Sequence, residues 1–390
     1  MKAAMHTRIM SAHVKQLAPA DPVMAGGVLL LAVVSLIMVA SASMSISEVR
    51  YGDAWRIIGH WAIYMPLGLV LMWWMSRIEV DWWRAAIMPM LGAALLMLVL
   101  VLVPGVGAEI NGARRWFSLF GLTLQPVELI KPVLVVYMAY YMARFPDRLE
   151  QFSTGLAPML AILGITVLLL LLQPDFGSAA LLVVLCLCMW FVGGVPMRHM
   201  LLLFVSIIPV GTIVLLAEPY RMRRFLSFMD PWADPLGSGY QLVQSMIAFG
   251  AGGLHGAGLG QSVQKLFYLP EPFTDFITAV LGEEFGLVGT LTLIVLFGVI
   301  LWRGMWLARH VRDTYQRLLV LGSVVLLATM FFINMGAAMG IMPTKGMPMP
   351  ILSYGGSALF GTCILLGLIF SVQRHLPENM RKNTCRKSVT

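Results

Sequence analysis

Charge is what this 390-residue sequence has least of: only 12% of its residues are Asp, Glu, Lys or Arg, about half the share of a soluble domain. That scarcity excludes water as the main solvent of the chain. Hydrophobic residue types make up 59% of it, and its mean hydropathy is +0.83. Cysteine is scarce as well. Cys186, Cys188 and Cys363 fall in apolar runs and Cys385 in a basic tail, which excludes an extracytoplasmic disulfide framework. The Cys186-Leu187-Cys188 spacing lacks the His neighbours a zinc site needs. No polar segment is long enough for a nucleic-acid-recognition domain. The net charge of +8 is therefore assigned to the positive-inside rule and anionic lipid headgroups, and nucleic acid is excluded as a partner.

What the sequence has is long apolar runs. A spanning helix needs about 20 apolar residues, and such runs occur at roughly 23–44, 57–75, 85–104, 125–143, 156–173, 177–194, 200–217, 276–302, 317–341 and 356–373. The predicted fold is an all-α integral membrane bundle of about ten transmembrane helices. A long extracytoplasmic loop, 218–275, separates spans seven and eight. The first run exceeds a signal-peptide core, so it is expected to stay as an uncleaved helix. Residues 1–21 and 376–390 are expected as cytoplasmic tails around a membrane domain at 22–375. Ten spans put both termini on one side, and Lys plus Arg divide about 17 to 10 in favour of that side, which makes it cytoplasmic.

The ten outer cations are not scattered. Seven of them gather at 105–124, at 218–275 and beside 342–355, and Glu109, Glu128, Asp175, Glu218, Asp230, Asp234, Glu271 and Asp275 share that face. The outer face is thus expected to carry the chemistry, around a polar cavity opening outward. Tyr240–Gly260 reads as a short interfacial or re-entrant helix, and both it and 105–124 could dip into the membrane to line that cavity. Asp275 begins span eight, as a helix N-cap or a general base. Glu283 and Glu284 lie two turns further in, where ionisable groups are costly and are paired or functional. At 100° per residue Glu283 sits about 80° from Asp275 and Glu284 opposite it, so at most one can join Asp275 and the other needs a partner elsewhere. Glu128 and Lys131, three residues apart, can pair with each other. Arg114, Arg115, Arg221, Arg223 and Arg224 form two clusters suited to phosphate or to headgroups, and Asp175 can cap a helix or join the cavity. The Pro- and Gly-rich stretch from Pro343 through Lys345 to Ser353, Tyr354 and Ser357 is expected as irregular scaffold ahead of span ten. These features leave enzyme and transporter both open; the lack of an internal repeat counts against a transporter.

Six motifs occur in an order that resembles the SEDS family (shape, elongation, division and sporulation proteins): Gly112-Ala113-Arg114-Arg115-Trp116, Gln125-Pro126-Val127-Glu128, Gln173-Pro174-Asp175-Phe176-Gly177, Leu269-Pro270-Glu271 through Thr274-Asp275-Phe276, Gly282-Glu283-Glu284, and Leu352-Ser353-Tyr354-Gly355-Gly356-Ser357. The resemblance runs from about 22 to 375, and Val106–Asn111 looks more like the division branch than the elongation branch. It implies a peptidoglycan glycosyltransferase of the bacterial cytoplasmic membrane that polymerises lipid II on the outer face at the septum. Its implied partners are a class B penicillin-binding protein (an FtsI-like transpeptidase) and other divisome membrane proteins. By the same resemblance Asp275 is the catalytic base, taking the proton of the acceptor GlcNAc 4-hydroxyl as undecaprenyl diphosphate leaves. Substrate-binding roles are inferred for Arg114, Arg115, Glu128, Lys131, Asp175, Arg221, Arg223, Arg224 and Lys345, with Glu283, Glu284, Ser353 and Tyr354 lining the polar cavity. No cofactor is fixed, although Asp275 with a diphosphate could hold Mg²⁺ or Mn²⁺. The sequence departs from the family pattern at Phe273, where His is expected, and at Val127, where Ser is expected. A lipid II flippase and a non-catalytic divisome scaffold remain the alternative readings.

Overall fold

In the computed structural model, residues 19–110, 112–119, 122–216, 219–344 and 346–376 are described. Asn111, Glu218, Lys345 and the two basic tails, 1–18 and 377–390, lie outside them, as does the side chain of Arg221.

Helix α1 (Pro22–Tyr51) shows how the apolar runs become elements. Asp21 caps it through hydrogen bonds from the amides of Val23 at 2.9 Å and Met24 at 3.0 Å, Pro22 opens it, and Gly52 closes it in the left-handed region at φ 70°. One stripe, Met24, Val28, Leu31, Met38 and Ala42, is buried, whereas Leu29, Leu30 and Val33 are exposed. Both faces being apolar, the exposed one needs lipid. Helices α2 (Arg56–Met75), α3 (Val80–Leu100), α4 (Pro126–Arg144), α5 (Ala157–Leu172), α6 (Phe176–Gly193), α7 (Met197–Leu216), α10 (Ile277–His310), α11 (Thr314–Ala338) and α12 (Gly356–Arg374) take the places of the other predicted spans. Among the described residues nine helices are long and apolar enough to cross a membrane, α5 being counted together with the π-helical turn Phe152–Leu156 that leads into it. α7 fills the seventh place. Helix α4 is the axis of the bundle, with 83% of its apolar window buried, followed by α11 and α12 at 67% each. Trp73, Trp74, Trp82 and Trp302 stand exposed at or near helix ends, where an interfacial belt belongs.

The first and last helices meet. The backbone N–H of Asp21 donates to Gln373 Oε1 at 3.0 Å, and the Asp21 carboxylate takes the Arg303 guanidinium of α10. The described chain ends therefore share one end of the bundle. That end carries a buried ion pair against Trp306, whose ring lies 4.9 Å from the guanidinium carbon.

Three features depart from the sequence expectation. Residues 108–124 do not dip into the membrane but form a three-stranded antiparallel sheet, β1 (Ala108–Ile110), β2 (Ala113–Leu119) and β3 (Leu122–Leu124), so the fold is not purely helical. An open sheet has edges that lipid cannot satisfy, which keeps it at the aqueous end. The loop 218–275 is partly helical: α8 (Pro219–Met229) is an added amphipathic helix, and α9 (Tyr240–Gly252) is the expected short one. Helix α10 is broken at Gly286 (φ 65°, ψ −157°). There the carbonyls of Glu283 and Glu284 accept from Ala257 N at 2.9 Å and Gly258 N at 3.0 Å. In exchange, Leu287 N and Val288 N donate to Gly253 O at 2.9 Å and Leu254 O at 3.2 Å. The segment after α9 thus re-enters the bundle and takes over the bonds the helix gives up, the condition for irregular backbone at depth.

Arg303→Ala leaves the Asp21 carboxylate buried without its partner, at a cost of about 3–5 kcal/mol. A lowered unfolding temperature of the detergent-purified protein is expected, partly recovered when Asp21→Asn is added.

Candidate active site

Asp275 ends the turn Leu269–Phe276. Pro270 and Pro272 keep this segment out of helix, and Glu271 sits at φ 51°, an uncommon conformation for a non-glycine residue. The N-cap of α10 is Phe276, and no side chain caps the helix. The capping role expected of Asp275 is therefore not taken up, because its turn ends one residue before the position from which a side chain could fold back onto the first amides. Instead its backbone carbonyl accepts from Asn334 Nδ2 of α11 at 2.9 Å, and the same amide donates to Met347 O at 2.7 Å. The strap 341–355 is thereby drawn over the carboxylate. A methyl group placed on Gly346 would lie 2.9 Å from Asp275 Oδ2, so a side chain here would push the carboxylate from its place. Arg224 of α8 reaches the same strap, donating to Thr344 O at 3.3 Å.

Half-buried here, the Asp275 carboxyl is pushed up to about 7. Loss of hydration is the main cause, and the Glu271 charge adds to it against the opposing pull of Arg224. A base poised near neutrality suits proton abstraction from a hydroxyl. Phe273, at the position where His is expected, is buried and packs edge-on against Tyr354 at 5.7 Å. Tyr354 N donates to Phe273 O at 2.9 Å, and Ser353 Oγ accepts from Met349 N at 2.8 Å. Tyr354 thus ties the strap to the Asp275 turn while Ser353 braces the strap internally, and the strap, expected as scaffold, is part of the site's wall.

Glu283 and Glu284 are both turned to the re-entrant segment. Glu283 accepts from Ser262 Oγ, from Val263 N at 2.9 Å and from Gln264 N at 3.2 Å. Glu284 pairs with Lys265 Nζ at 2.7 Å and takes Ser41 Oγ of α1 at 2.6 Å. Glu128 and Lys131 form a buried pair at 2.6 Å. Asp175 caps α6, accepting from Ser178 N at 3.0 Å. Arg115 is spent on the backbone, donating to Gln173 O at 2.8 Å and Pro174 O at 2.5 Å, and so fastens β2 to the α5–α6 turn. Arg114 pairs with Glu109 at 3.1 Å on the surface. Of the cations inferred for substrate, Arg224 on α8 is the one whose charge acts on Asp275; Lys345 and the Arg221 side chain lie outside the described residues. No three His, Cys, Asp or Glu residues gather among the described residues.

Asn334, Lys265 and Gly346 were not singled out from the sequence. A lone amide inside the apolar span Phe331-Phe332-Ile333-Asn334 was the available signal for the first, since polar groups there are expensive. Lys265 carries no local signal, because its partner is 19 positions away on a broken helix.

These features define a polytopic helical membrane protein with one tuned carboxylate at the mouth of its bundle. The chain belongs to the FtsW/RodA/SpoVE family of cell cycle proteins, whose family model matches residues 23–378. It is 44% identical over 346 residues to the probable peptidoglycan glycosyltransferase FtsW of Saccharophagus degradans, covering 88% of this chain and 89% of the relative. It is 41% identical over 342 residues to the protein of the same name from Coxiella burnetii, covering 86% and 91%. Among solved structures it resembles a chain from work on a peptidoglycan synthase complex that coordinates polymerization and crosslinking. That match has a TM-score of 0.76 and 31% identity, and covers 92% of this chain and 99% of that one. The rod shape determining protein RodA of Thermus thermophilus gives a TM-score of 0.66 at 28% identity, covering 92% and 98%.

A carboxyl raised from 3.8 to about 7 holds a proton in the folded chain that the unfolded chain releases, so folding stability falls as pH rises through that window. Asp275→Asn is expected to melt above wild type at pH 8 and to converge with it near pH 4, read by thermal unfolding across pH.

Proposed function

We propose that the protein is a peptidoglycan glycosyltransferase that polymerises lipid II into glycan strands, with Asp275 as its general base. The observation that carries this reading is the Asp275 carboxylate itself, half-buried between Glu271, Arg224 and Gly346 and poised near neutral pH. In that form it accepts the proton of the acceptor GlcNAc 4-hydroxyl. The hydroxyl oxygen bonds to the anomeric carbon of the donor sugar, and the bond from that carbon to undecaprenyl diphosphate breaks. Negative charge grows on the departing diphosphate, and fixed cations are what such a leaving group needs. Arg223 and Arg224 lie on the right element for that role, with Arg221, Arg114 and Lys345 as further candidates. Glu128, Lys131, Asp175 and Arg115 are inferred to contact substrate from the positions that their ion pair, cap and backbone bonds fix, and Glu283 and Glu284 anchor the re-entrant segment.

The reading extends to location and partners. The chain crosses the bacterial cytoplasmic membrane ten times with both termini in the cytoplasm, an arrangement supported by the cation bias and by the shared end of α1 and α12. Its active face is extracytoplasmic, at the division septum, beside an FtsI-like class B penicillin-binding protein and other divisome membrane proteins. The family match and the synthase complex among the similar structures support this.

Asp275→Ala, purified with the transpeptidase, is expected to lose glycan polymerisation from lipid II by at least about 100-fold, the lower range for a positioned base, while the complex still assembles. Wild-type activity is expected to fall as pH drops through about 7. Glycan strands of normal yield from the Asp275→Ala complex would overturn the assignment; loss of lipid II translocation with polymerisation intact would point to a flippase.

A further inference from the structure

Asn334 is only 2% exposed, on the buried side of α11, where an amide is costly unless fully used. It is fully used. Nδ2 donates to Asp275 O at 2.9 Å and to Met347 O at 2.7 Å, and Oδ1 accepts from Thr278 Oγ1 at 3.4 Å. Two carbonyls from segments 72 positions apart in sequence meet on one planar NH₂ group, and a residue of the first turn of α10 meets its oxygen. A side chain with two donors on one nitrogen and an acceptor beside it fits that set, and Asp in the same volume would set a carboxylate against two carbonyls. The bond to Met347 matters because the neighbouring residue is Gly346, whose backbone covers the Asp275 carboxylate. If the bridge were lost, two carbonyls would lose their partner, and the described hydrogen bond left between strap and turn would be that from Tyr354 N to Phe273 O, eight residues further along the strap than Gly346.

We infer that Asn334 is a positioning residue for the glycosyl transfer, setting the distance between the Asp275 turn and the strap so that the carboxylate stays half-buried and correctly placed. This rests on the reading of Asp275 as the base. The charged groups facing that carboxylate are Glu271 from its own turn and Arg224 from α8; the side chains of Lys345 and Arg221 lie outside the described residues. A carboxylate released from the strap regains water, and its affinity for a proton falls. A displacement of about 1 Å at a reacting group can cost about 100-fold in rate.

The test measures lipid II polymerisation by the full chain purified with its transpeptidase, from pH 5.5 to 9. Asn334→Leu is expected to lower kcat by about 10- to 100-fold with KM within about threefold, and to move the acidic limb of the rate profile to lower pH. Asn334→Gln, which keeps the amide, is expected to recover part of both. Thr329→Val, which removes a polar group bonded only within α11, is expected to leave both in place. If Asn334→Leu does not fold, Asn334→Ser takes its place with the same expected directions. A wild-type kcat in the Leu or Ser variant overturns the inference. So does a uniform loss at every pH with an unmoved acidic limb and no recovery in the Gln variant. Asp275→Asn is run in parallel: polymer from it sinks the base assignment and this inference together, whereas an inactive Asp275→Asn beside an unperturbed Asn334→Leu sinks this inference alone.

Discussion

Four backbone hydrogen bonds govern the outer half of the molecule: those that α10 surrenders at Gly286 and the segment Gly253–Gly258 makes good. Inside a bilayer an unmet N–H or C=O costs several kcal/mol, so a helix can open there only if another chain segment closes the gap. The approach is close enough to dictate composition. A Cβ on Gly252 would lie 2.0 Å from Gly282 O, and one on Gly256 would lie 2.2 Å from Glu284 O. With the backbones locked, the Glu283 and Glu284 side chains can grip Ser262–Lys265. The chain then has one short path back to the start of α10, and Asp275 lies on it.

The same economy explains how the cations divide. Lys131, Lys265, Arg303 and Arg115 are inside the bundle or against a turn, and each has a carboxylate or backbone carbonyls to satisfy it. Buried ion pairs of this kind contribute little net stability, but removing one member is severe. Arg224 of α8 stands in a different setting, beside the strap, where it donates to Thr344 O.

The spans were legible because apolar length is a strong signal, and α2 and α12 match their runs to within a residue or so at each end. Helix α10 runs well past its predicted end at 302 to His310, because its last turns carry Arg303 and Arg309, which break the hydrophobic window without breaking the helix. The sheet at 108–124 and helix α8 were not legible: short elements in a polar stretch bury too little to show a period. Asp275 could be named from its motif, but its environment could not. What surrounds it comes from Gly346 on the strap, Arg224 on α8 and Asn334 on α11, which only the folded chain brings together. Helical phase predicts that Glu283 and Glu284 face apart, whereas both meet the segment Ser262–Lys265, and it could not supply Lys265, because a segment 19 residues upstream of Glu284 leaves no periodic trace.

The positions of the buried ion pairs also bear on how the chain is made. Glu128 and Lys131 emerge from the ribosome within one helical turn of each other, and Lys265 precedes Glu284 by 19 residues. Asp21, by contrast, waits for an arginine 282 residues later, roughly 15–55 s at ordinary rates of synthesis. A lone carboxylate held that long in hydrocarbon would be expelled from the membrane or neutralised. Asp21 stands at the foot of α1, where water can solvate it until Arg303 arrives. Pairs near in sequence occupy the interior and the distant pair occupies the rim, an order in which no half-made intermediate has to carry an unpaired charge through lipid.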